Sequence, residues 1–577
     1  MRKHLLLLLV LLIVSNSGNC QSLVKTNWFK NIAPSGSGHI SKICVDKYGN
    51  TYTFGIFVGD IDCLGQTLNL KNGCYFLLKQ NAKGERIWAK NFGDRESYEY
   101  GDIVVDENSN IYVGISSYAD TGKKYLKYDG KTLDSSINFF GAVLKIDRDG
   151  NLQWFKKFQT TDYLSVVTRL VIDNNENVYV SVYYAGSLKI EDKVLTRHGA
   201  FENCIIKIND TGNIEWFHDI YQKGSDSNST ANIISGVYYI QCKNNCPGRL
   251  VVNGSIYDVD TLIVDDKILF IKKHNQDSLT QFLFDIDDNG NIFNSNFLPS
   301  NLAINLVTNT TSFVVENNRM FFTCLFSGSV PWENNRTQAH SQYSIGVGEI
   351  NDNNELVRFG EFPGKNIIPS KFSFSPLYGL VLCGSFGNYF ILGSDSISIT
   401  IPNTTCQGSL IANFDDSLKL IDVKYIKGYD YKILDMVMND SFITTVADFG
   451  GENVFKDDTI VGVNSNIGVF QCSDLKRVSD FSPDKFIGLY SSVTFSVKIY
   501  PNPFETNMTM NFSEPIYSSS LQFYNIIGQK CEDINVIKIN DTQTQINTTG
   551  LRPGIYFVNY LTCSGVQGRV KVCKMRN

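Results

Sequence analysis

The sequence predicts an all-β protein: a seven-bladed β-propeller, with six or eight blades as the alternatives, followed by a small antiparallel β-sandwich. Three observations carry this. The 577 residues hold 38 Phe, 29 Tyr, 5 Trp and 45 Gly but only 13 Pro, the balance of a chain rich in strands and turns. A pattern of two hairpins recurs roughly every 65 residues. The period stops near residue 483, where a different unit begins. Hydrophobic residues make up 43% and charged residues 19%, with a net charge of −6. Such a chain can bury a core, and it is not a broadly basic nucleic-acid binder.

The N-terminus reads as an address. A short basic start, Met1–His4, precedes an unbroken aliphatic run, Leu5–Val14, and a small polar stretch that ends in Cys20 and Gln21. The run is too short to cross a hydrocarbon core of ~30 Å as a helix. Residues 1–20 are therefore expected to be a secretory signal peptide cleaved between Cys20 and Gln21. Lipid attachment at Cys20 is the rival reading, and Asn19 fits a lipobox poorly. No later stretch approaches transmembrane length. Export would place the other cysteines where disulfides persist. Cys63 with Cys74 and Cys242 with Cys246 are candidate pairs, whereas Cys324 and Cys383 read as small core residues. No histidine lies at metal spacing from a cysteine, so a structural zinc site is not expected.

Residues 22–482 carry the repeat. Ile43–Tyr52, Ile103–Tyr112 and Leu170–Tyr179 each hold an apolar run, an Asp-initiated turn ending in Asn, and a second run opening with Tyr. That is a hairpin whose Asp caps its own turn. A second hairpin turns at Gly84, Gly150 and Gly212 and reaches Trp88, Trp154 and Trp216. Weaker copies lead to Phe293, Phe359, Leu420 and Val478, with first hairpins beginning near Val237, Phe313, Phe372 and Leu434. Seven four-stranded units at this period match propeller blades with generous loops. Gly55, Gly254 and Gly384 fit the crowded inner positions. Either Trp28–Ile32, which copies the Trp88 tail, or residues 475–482 would supply the outer strand of the last blade. These hairpins resemble the SBBP-type bacterial β-propeller repeat, with its Asp-x-x-Gly-Asn-x-Tyr hairpin and later Asp-x-x-Gly-x-x-x-Trp strand. The resemblance is good in 22–220 and weak in 221–482; it implies a propeller and no particular activity. The second signature is also similar to the tryptophan-docking repeats of quinoprotein dehydrogenases, but the vicinal cysteine pair those enzymes often use is missing.

Residues 483–494 read as a linker and 495–577 as a separate β-sandwich, from alternating runs at Val497–Phe504, Leu521–Gly528, Leu551–Val558 and Arg569–Lys574. These landmarks resemble the type A C-terminal sorting domain of the type IX secretion system. Tyr500, Pro501, Asn502 and Pro503 match its opening, and Tyr524 to Gly528 its turn. Leu551, Gly554 and Tyr556 match its late strand, and Lys571 to Lys574 its lysine-rich end. The resemblance implies a Bacteroidetes-type source and handling by the type IX machinery. It also implies transport across the outer membrane, removal of this domain, and often attachment to surface lipopolysaccharide.

Catalytic signatures are absent. The six histidines are isolated in sequence, and no zinc-hydrolase, nucleophile-elbow, phosphate-loop or dinucleotide motif occurs. Asp285, Asp287 and Asn289, followed by Gly290, match the start of a calcium loop. The twelfth position is Asn296 rather than Glu, and other repeats hold plain turns in that slot. A hairpin turn is therefore expected, with calcium as the alternative and no other cofactor. The sequence thus points to a surface-delivered, non-catalytic module that binds a glycan or protein. The alternatives are a secreted hydrolase or lyase with an acidic site spread over several blades, and a passive component of the surface or matrix.

Overall fold

In the computed structural model every regular element among the described residues is a β-strand. The structure describes residues 21–475 and 497–575 apart from connecting stretches, the longer being 93–100, 118–123, 224–233, 241–247, 272–279, 304–312, 399–407, 415–419, 513–520 and 562–566. The expected signal peptide with Cys20, the expected linker, Cys242, Cys246, Val478, Pro503 and Gly528 lie outside the described residues. The chain divides into two compact units, Met1–Leu392 with Ser396–Pro483, and Gly393–Asp395 with Asp484–Asn577.

The first unit is built from antiparallel four-strand sets, and the third shows the logic. Its strands Ser165–Ile172, Val178–Tyr184, Glu202–Ile208 and Ile214–Lys223 pair in sequence order. In the first turn, Asp173 Oδ1 accepts the amides of Asn175 and Asn177 at 2.9 and 2.8 Å. Tyr179 donates its hydroxyl to Asp173 Oδ2 at 3.1 Å. Asp46 with Tyr52 repeats the arrangement in the first set. The Asp, Asn and Tyr of the signature are therefore one hydrogen-bonded unit that holds the turn through local contacts. Gly55 lies in the second strand of the first set, where a Cβ would stand 2.3 Å from the His39 carbonyl.

Apolar clusters fill the junctions between consecutive sets. Tyr52, Phe54 and Leu77 of the first meet Ile111, Val113 and Phe140 of the second. Tyr179 and Ile205 of the third meet Leu250 and Phe282 of the fourth. Phe321 and Ile345 of the fifth meet Phe372 and Leu410 of the sixth. Ile32, Val446 and Val469 of the seventh meet Ile43 and Phe76 of the first. The first strands follow the same order. Gly38–Val45 touches Asp102–Val105, and the sequence continues through Ser165–Ile172, Ile234–Ile240, Phe313–Glu316, Gly364–Ser375 and Lys432–Met438, which touches Gly38–Val45 again. Of the two rivals for the last outer strand, Thr26–Pro34 pairs with Thr459–Cys472, with Trp28 opposite Gln471 and Ile32 opposite Ile467.

Two further devices join neighbours. Hairpins between second and third strands reach back to the preceding outer strand, placing Tyr128 opposite Phe92, Ile190 opposite Phe158 and Val264 opposite Ile220. The outer-strand tryptophans dock onto the second turn of the next set. Trp28, Trp88, Trp154 and Trp216 donate Nε1–H to the carbonyls of Ala82, Arg148, Asp210 and Asp288 at 3.1, 3.2, 2.9 and 3.1 Å. Each indole lies against that turn's glycine. A Cβ on Gly212, at φ +90°, would stand 3.1 Å from the Trp154 ring. Lys79, Lys145 and Lys207 donate to the same carbonyls as Trp88, Trp154 and Trp216 and sit 5.1–5.7 Å over the rings of Tyr52, Tyr112 and Tyr179.

The device changes chemistry in the fourth and fifth sets, where the sequence pattern puts Phe293 and Phe359 in the tryptophan's place. Phe293 is 39% exposed, and its neighbour Asn294 makes the bond instead, donating to the Asp352 carbonyl at 3.0 Å beside Arg249 at 2.6 Å. Phe359 is buried in the cluster between the fourth and fifth sets, and Arg358 faces Glu349 across the strand pair.

The second unit is a sandwich of two four-stranded antiparallel sheets. Phe504, Met508, Met510, Phe523, Ile546, Val558 and Val572 form its core.

Replacing Trp154 with Phe removes the bond to Asp210 and part of the junction contact, and should cost about 1–2 kcal/mol. Gly212→Ala forces a side chain into both a left-handed backbone and the indole, and should cost at least as much. Thermal unfolding of the two variants checks this. An unchanged melting temperature for both would show that docking at this junction is not structural.

Candidate functional site

The residues of the C-terminal motif fold into a clamp on the last strand, Gln567–Lys574. The Cys573 amide donates to Asn502 Oδ1 at 3.0 Å, and the Phe504 amide to the Cys573 carbonyl at 2.9 Å. The Met575 amide returns to the Phe504 carbonyl at 2.8 Å, with Phe504 fully buried. Tyr500 is half exposed and accepts hydrogen bonds at its hydroxyl from Asn511 and Gln543. Pro501 continues from it. Leu551 donates its amide to Thr548 and packs on the sandwich core. Gly554 opens the strand Gly554–Leu561, in which Tyr556 donates to the Arg552 carbonyl at 2.7 Å. Lys571 offers its carbonyl to Asn502. Lys574 is buried and donates its ammonium to the Thr548 carbonyl. The end of the motif is thus tied into the fold, and Tyr500 presents surface.

At the segment expected to be a hairpin turn, with calcium as the alternative, hydrogen-bond donors occupy the carboxylates. Asp285 Oδ2 takes Arg249 at 2.8 Å and Asn294 at 3.2 Å, and Oδ1 takes Asn354 at 3.0 Å. Burial raises the Asp285 carboxyl, with Arg249 opposing. Asp287 caps its own turn through the amides of Asn289 and Asn291 at 2.9 and 2.7 Å. Asp285 belongs to the clamp on the next set and Asp287 to the turn, so the three residues do not share a cage. Among the described residues no group of three or more His, Cys, Asp or Glu side chains converges as a metal site.

The structure assembles a charged cluster that the motifs did not reveal. Lys42, Asp102, Arg169, Lys371 and Asp435 sit at equivalent places on five first strands. All but Asp102 follow a one-residue bulge. Asp435 Oδ2 accepts the Ile43 amide at 3.0 Å, and Oδ1 lies 3.1 Å from the Lys371 ammonium. Asp102 Oδ2 accepts the Leu170 amide at 2.9 Å. Each aspartate therefore bonds to the backbone of another set. Burial, helped by Arg169 and Lys371, pushes the Lys42 ammonium down to about 8. Burial would raise Asp435, but Lys371 and Lys42 hold it below the usual carboxylate range. The available signal was the residue just before Ile43, Ile103, Leu170 and Phe372. In the seventh set the register puts Met436, not Leu434, at that place.

A second cluster gathers His198 and His218 with Asp219, Asp265 and the Gly290 carbonyl. His218 sits with Nδ1 2.5 Å from Asp265 and Nε2 2.8 Å from the Gly290 carbonyl. His198 stacks on Tyr221 and lies 3.6 Å from Asp219, which accepts the Tyr184 hydroxyl at 2.7 Å. Burial pushes Asp219 up to about 6, against the Tyr184 hydrogen bond. Cys63 and Cys74 share one apolar cluster, where burial pushes the Cys63 thiol up to about 12. Cys324 and Cys383 are buried, in keeping with core roles.

Residues 498–572 match the family described as "Secretion system C-terminal sorting domain". This type IX sorting domain directs export to the cell surface or extracellular space. No curated protein matches the chain. Solved structures show a low-identity likeness, three of them as follows. One is the extracellular domain of a one component system from B. thetaiotaomicron, at 10% identity over 96% of this chain and 100% of that one, with a TM-score of 0.15. Another is the extracellular domain of a hybrid two component system from the same organism, at 10% over 95% and 98%, with a TM-score of 0.14. The third is Morganella morganii TcdA4, at 9% over 94% and 22%, with a TM-score of 0.18. Scores this low carry no structural argument. No helix among the described residues is long and apolar enough to cross a membrane.

Asp219 predicts a pH dependence. Its folded-state value lies above the ordinary 3.8, so the folded state holds this proton more tightly than the unfolded chain. The resulting stabilisation is complete below the ordinary value and is lost as pH rises through about 6. Melting curves should show a loss of about 1–3 kcal/mol over that interval, which Asp219→Asn removes while keeping an acceptor for Tyr184. An identical pH profile in the variant would exclude Asp219 as its source.

Proposed function

We propose that the first unit is a closed seven-bladed β-propeller, and that type IX export delivers it as a non-catalytic module binding a glycan or protein at the cell surface. The observation that carries the ring is the N-terminal strand: Thr26–Pro34 completes the seventh set by pairing with Thr459–Cys472. The cyclic order of first-strand contacts and the apolar cluster between the seventh and first sets support it. So does the resemblance to SBBP-type repeats. A ring of rigid blades holds variable loops on one face, an arrangement suited to recognition rather than to a single fixed chemistry.

In this reading the signal peptide is cleaved after Cys20, leaving Gln21 at the start of the mature chain. The strand Gln21–Leu23 then adds in parallel to Val423–Tyr425 of the sixth set. The sorting domain engages the type IX machinery and is removed on the way out, and the propeller is either attached to surface lipopolysaccharide or released.

Deleting 495–577 should strand the protein in the periplasm, read by fractionation and surface labelling. Normal display of the truncated protein would overturn the export route. Pull-downs with the mature chain against surface glycans and proteins, run beside a hydrolase substrate panel, test the binding role. Retention without turnover supports it, turnover replaces it with an enzyme, and neither leaves a structural component.

A further inference from the structure

The charged cluster on the first strands has a gap. In chain order its positions are Lys42, Asp102, Arg169, Gly236, a fifth just before Phe313 that lies outside the described residues, Lys371 and Asp435. From Lys371 through Asp435, Lys42 and Asp102 to Arg169 the signs alternate. At Gly236 the alternation stops, because that residue has no side chain. Both aspartates are committed: Asp435 to Ile43 and Lys371, Asp102 to Ile103 and Leu170. Among the described residues no hydrogen bond from the Lys42 ammonium or the Arg169 guanidinium is found.

An independent observation marks the same place. Asn253 stands directly across the strand pair from Gly236. It is 1% exposed, and neither its amide oxygen nor its nitrogen has a partner. A buried polar group left unpaired costs about 1–3 kcal/mol, so an amide kept there needs a reason.

We infer that the axis of the first unit binds a small carboxylate at the Gly236 gap, gripped by Arg169 with Lys42 and Lys371 supplying positive charge. This rests on the closed-ring binding module proposed above. Three cations face two aspartates, and one carboxylate balances the excess. The guanidinium fork matches a carboxylate in two parallel hydrogen bonds. The Asn253 amide can donate to the same group or to a hydroxyl beside it. Burial is the main reason the Lys42 ammonium is pushed down to about 8, and the added repulsion from Arg169 and Lys371 is offset by an anion. The carboxylate can belong to a free small acid or to a uronic acid sugar, and the two are separable by experiment.

The test uses the mature full-length chain with sodium acetate, sodium glucuronate and glucose at constant ionic strength, read by calorimetric titration and melting temperature. Glucuronate should bind and raise the melting temperature while glucose does not. Equal binding of acetate assigns the site to free acids, and preference for glucuronate assigns it to acidic sugars. Arg169→Gln should weaken binding about tenfold or more, the worth of a charged hydrogen bond. Gly236→Asp supplies the missing anion from within. The variant is expected to melt higher without ligand and to lose its response to glucuronate. No response to either acid together with destabilisation by Gly236→Asp would overturn the inference. If the protein retains neutral glycans or surface proteins while Arg169→Gln changes nothing, the carboxylate site falls and the binding module stands. If the whole panel fails, the module falls with it.

Discussion

Burial between consecutive four-strand sets is the constraint on which the first unit depends. Each set has two broad apolar faces and cannot cover either alone, so its stability lies in its neighbours. At the junction of the first and second sets, stacked Phe54 and Tyr75 and tilted Phe92 and Tyr128 meet with ring centres 5.1–5.2 Å apart. Around that apolar filling, the outer tryptophan caps the next turn and a hairpin adds itself to the previous outer strand. Near the first strands, Asp102 and Asp435 bolt neighbouring or nearby sets through backbone amides. At the last junction the chain's own N-terminal strand takes the outer place.

The same constraint explains why the repeat decays in sequence without losing its form. What the junction requires is a donor for the carbonyl of the next turn and a flat group over its glycine. The first three sets meet the requirement with Trp88, Trp154 and Trp216. In the fourth, Arg249 and Asn294 satisfy the Asp352 carbonyl, and Asp285 neutralises the arginine. The resemblance to a calcium loop at Asp285 and Asp287 arises here. One carboxylate serves an interset ion pair and the next serves a turn.

Local chemistry was legible in the chain. The Asp, Asn and Tyr of the first turn bond within six residues of each other, so the pattern shows in any single repeat, as do the tryptophans. The sorting motif is likewise visible because Asn502 and Phe504 act through one strand. Lys574, matched only to the lysine-rich end of the sorting domain, is buried and donates to the Thr548 carbonyl, a partner that lies on another turn. The charged cluster escaped for a related reason. Lys42 and Asp435 are held together by Ile43, 392 residues away in sequence from its acceptor, and the alternation of sign appears only once the first strands are superposed in register. His218 and Asp265 meet through an inserted hairpin that no motif marks.

Completion of the last set by the first strand is the claim from which the ring, its axis and its binding role follow. Hydrogen exchange on Thr459–Cys472, compared between the mature chain and one lacking residues 21–34, measures it directly. The account predicts strong protection of this strand in the mature chain. Protection should fall in the shortened chain there and in the adjoining Ile443–Val454 and Gly38–Val45, with distant sets unchanged. Equal exchange of Thr459–Cys472 in the two chains would contradict it.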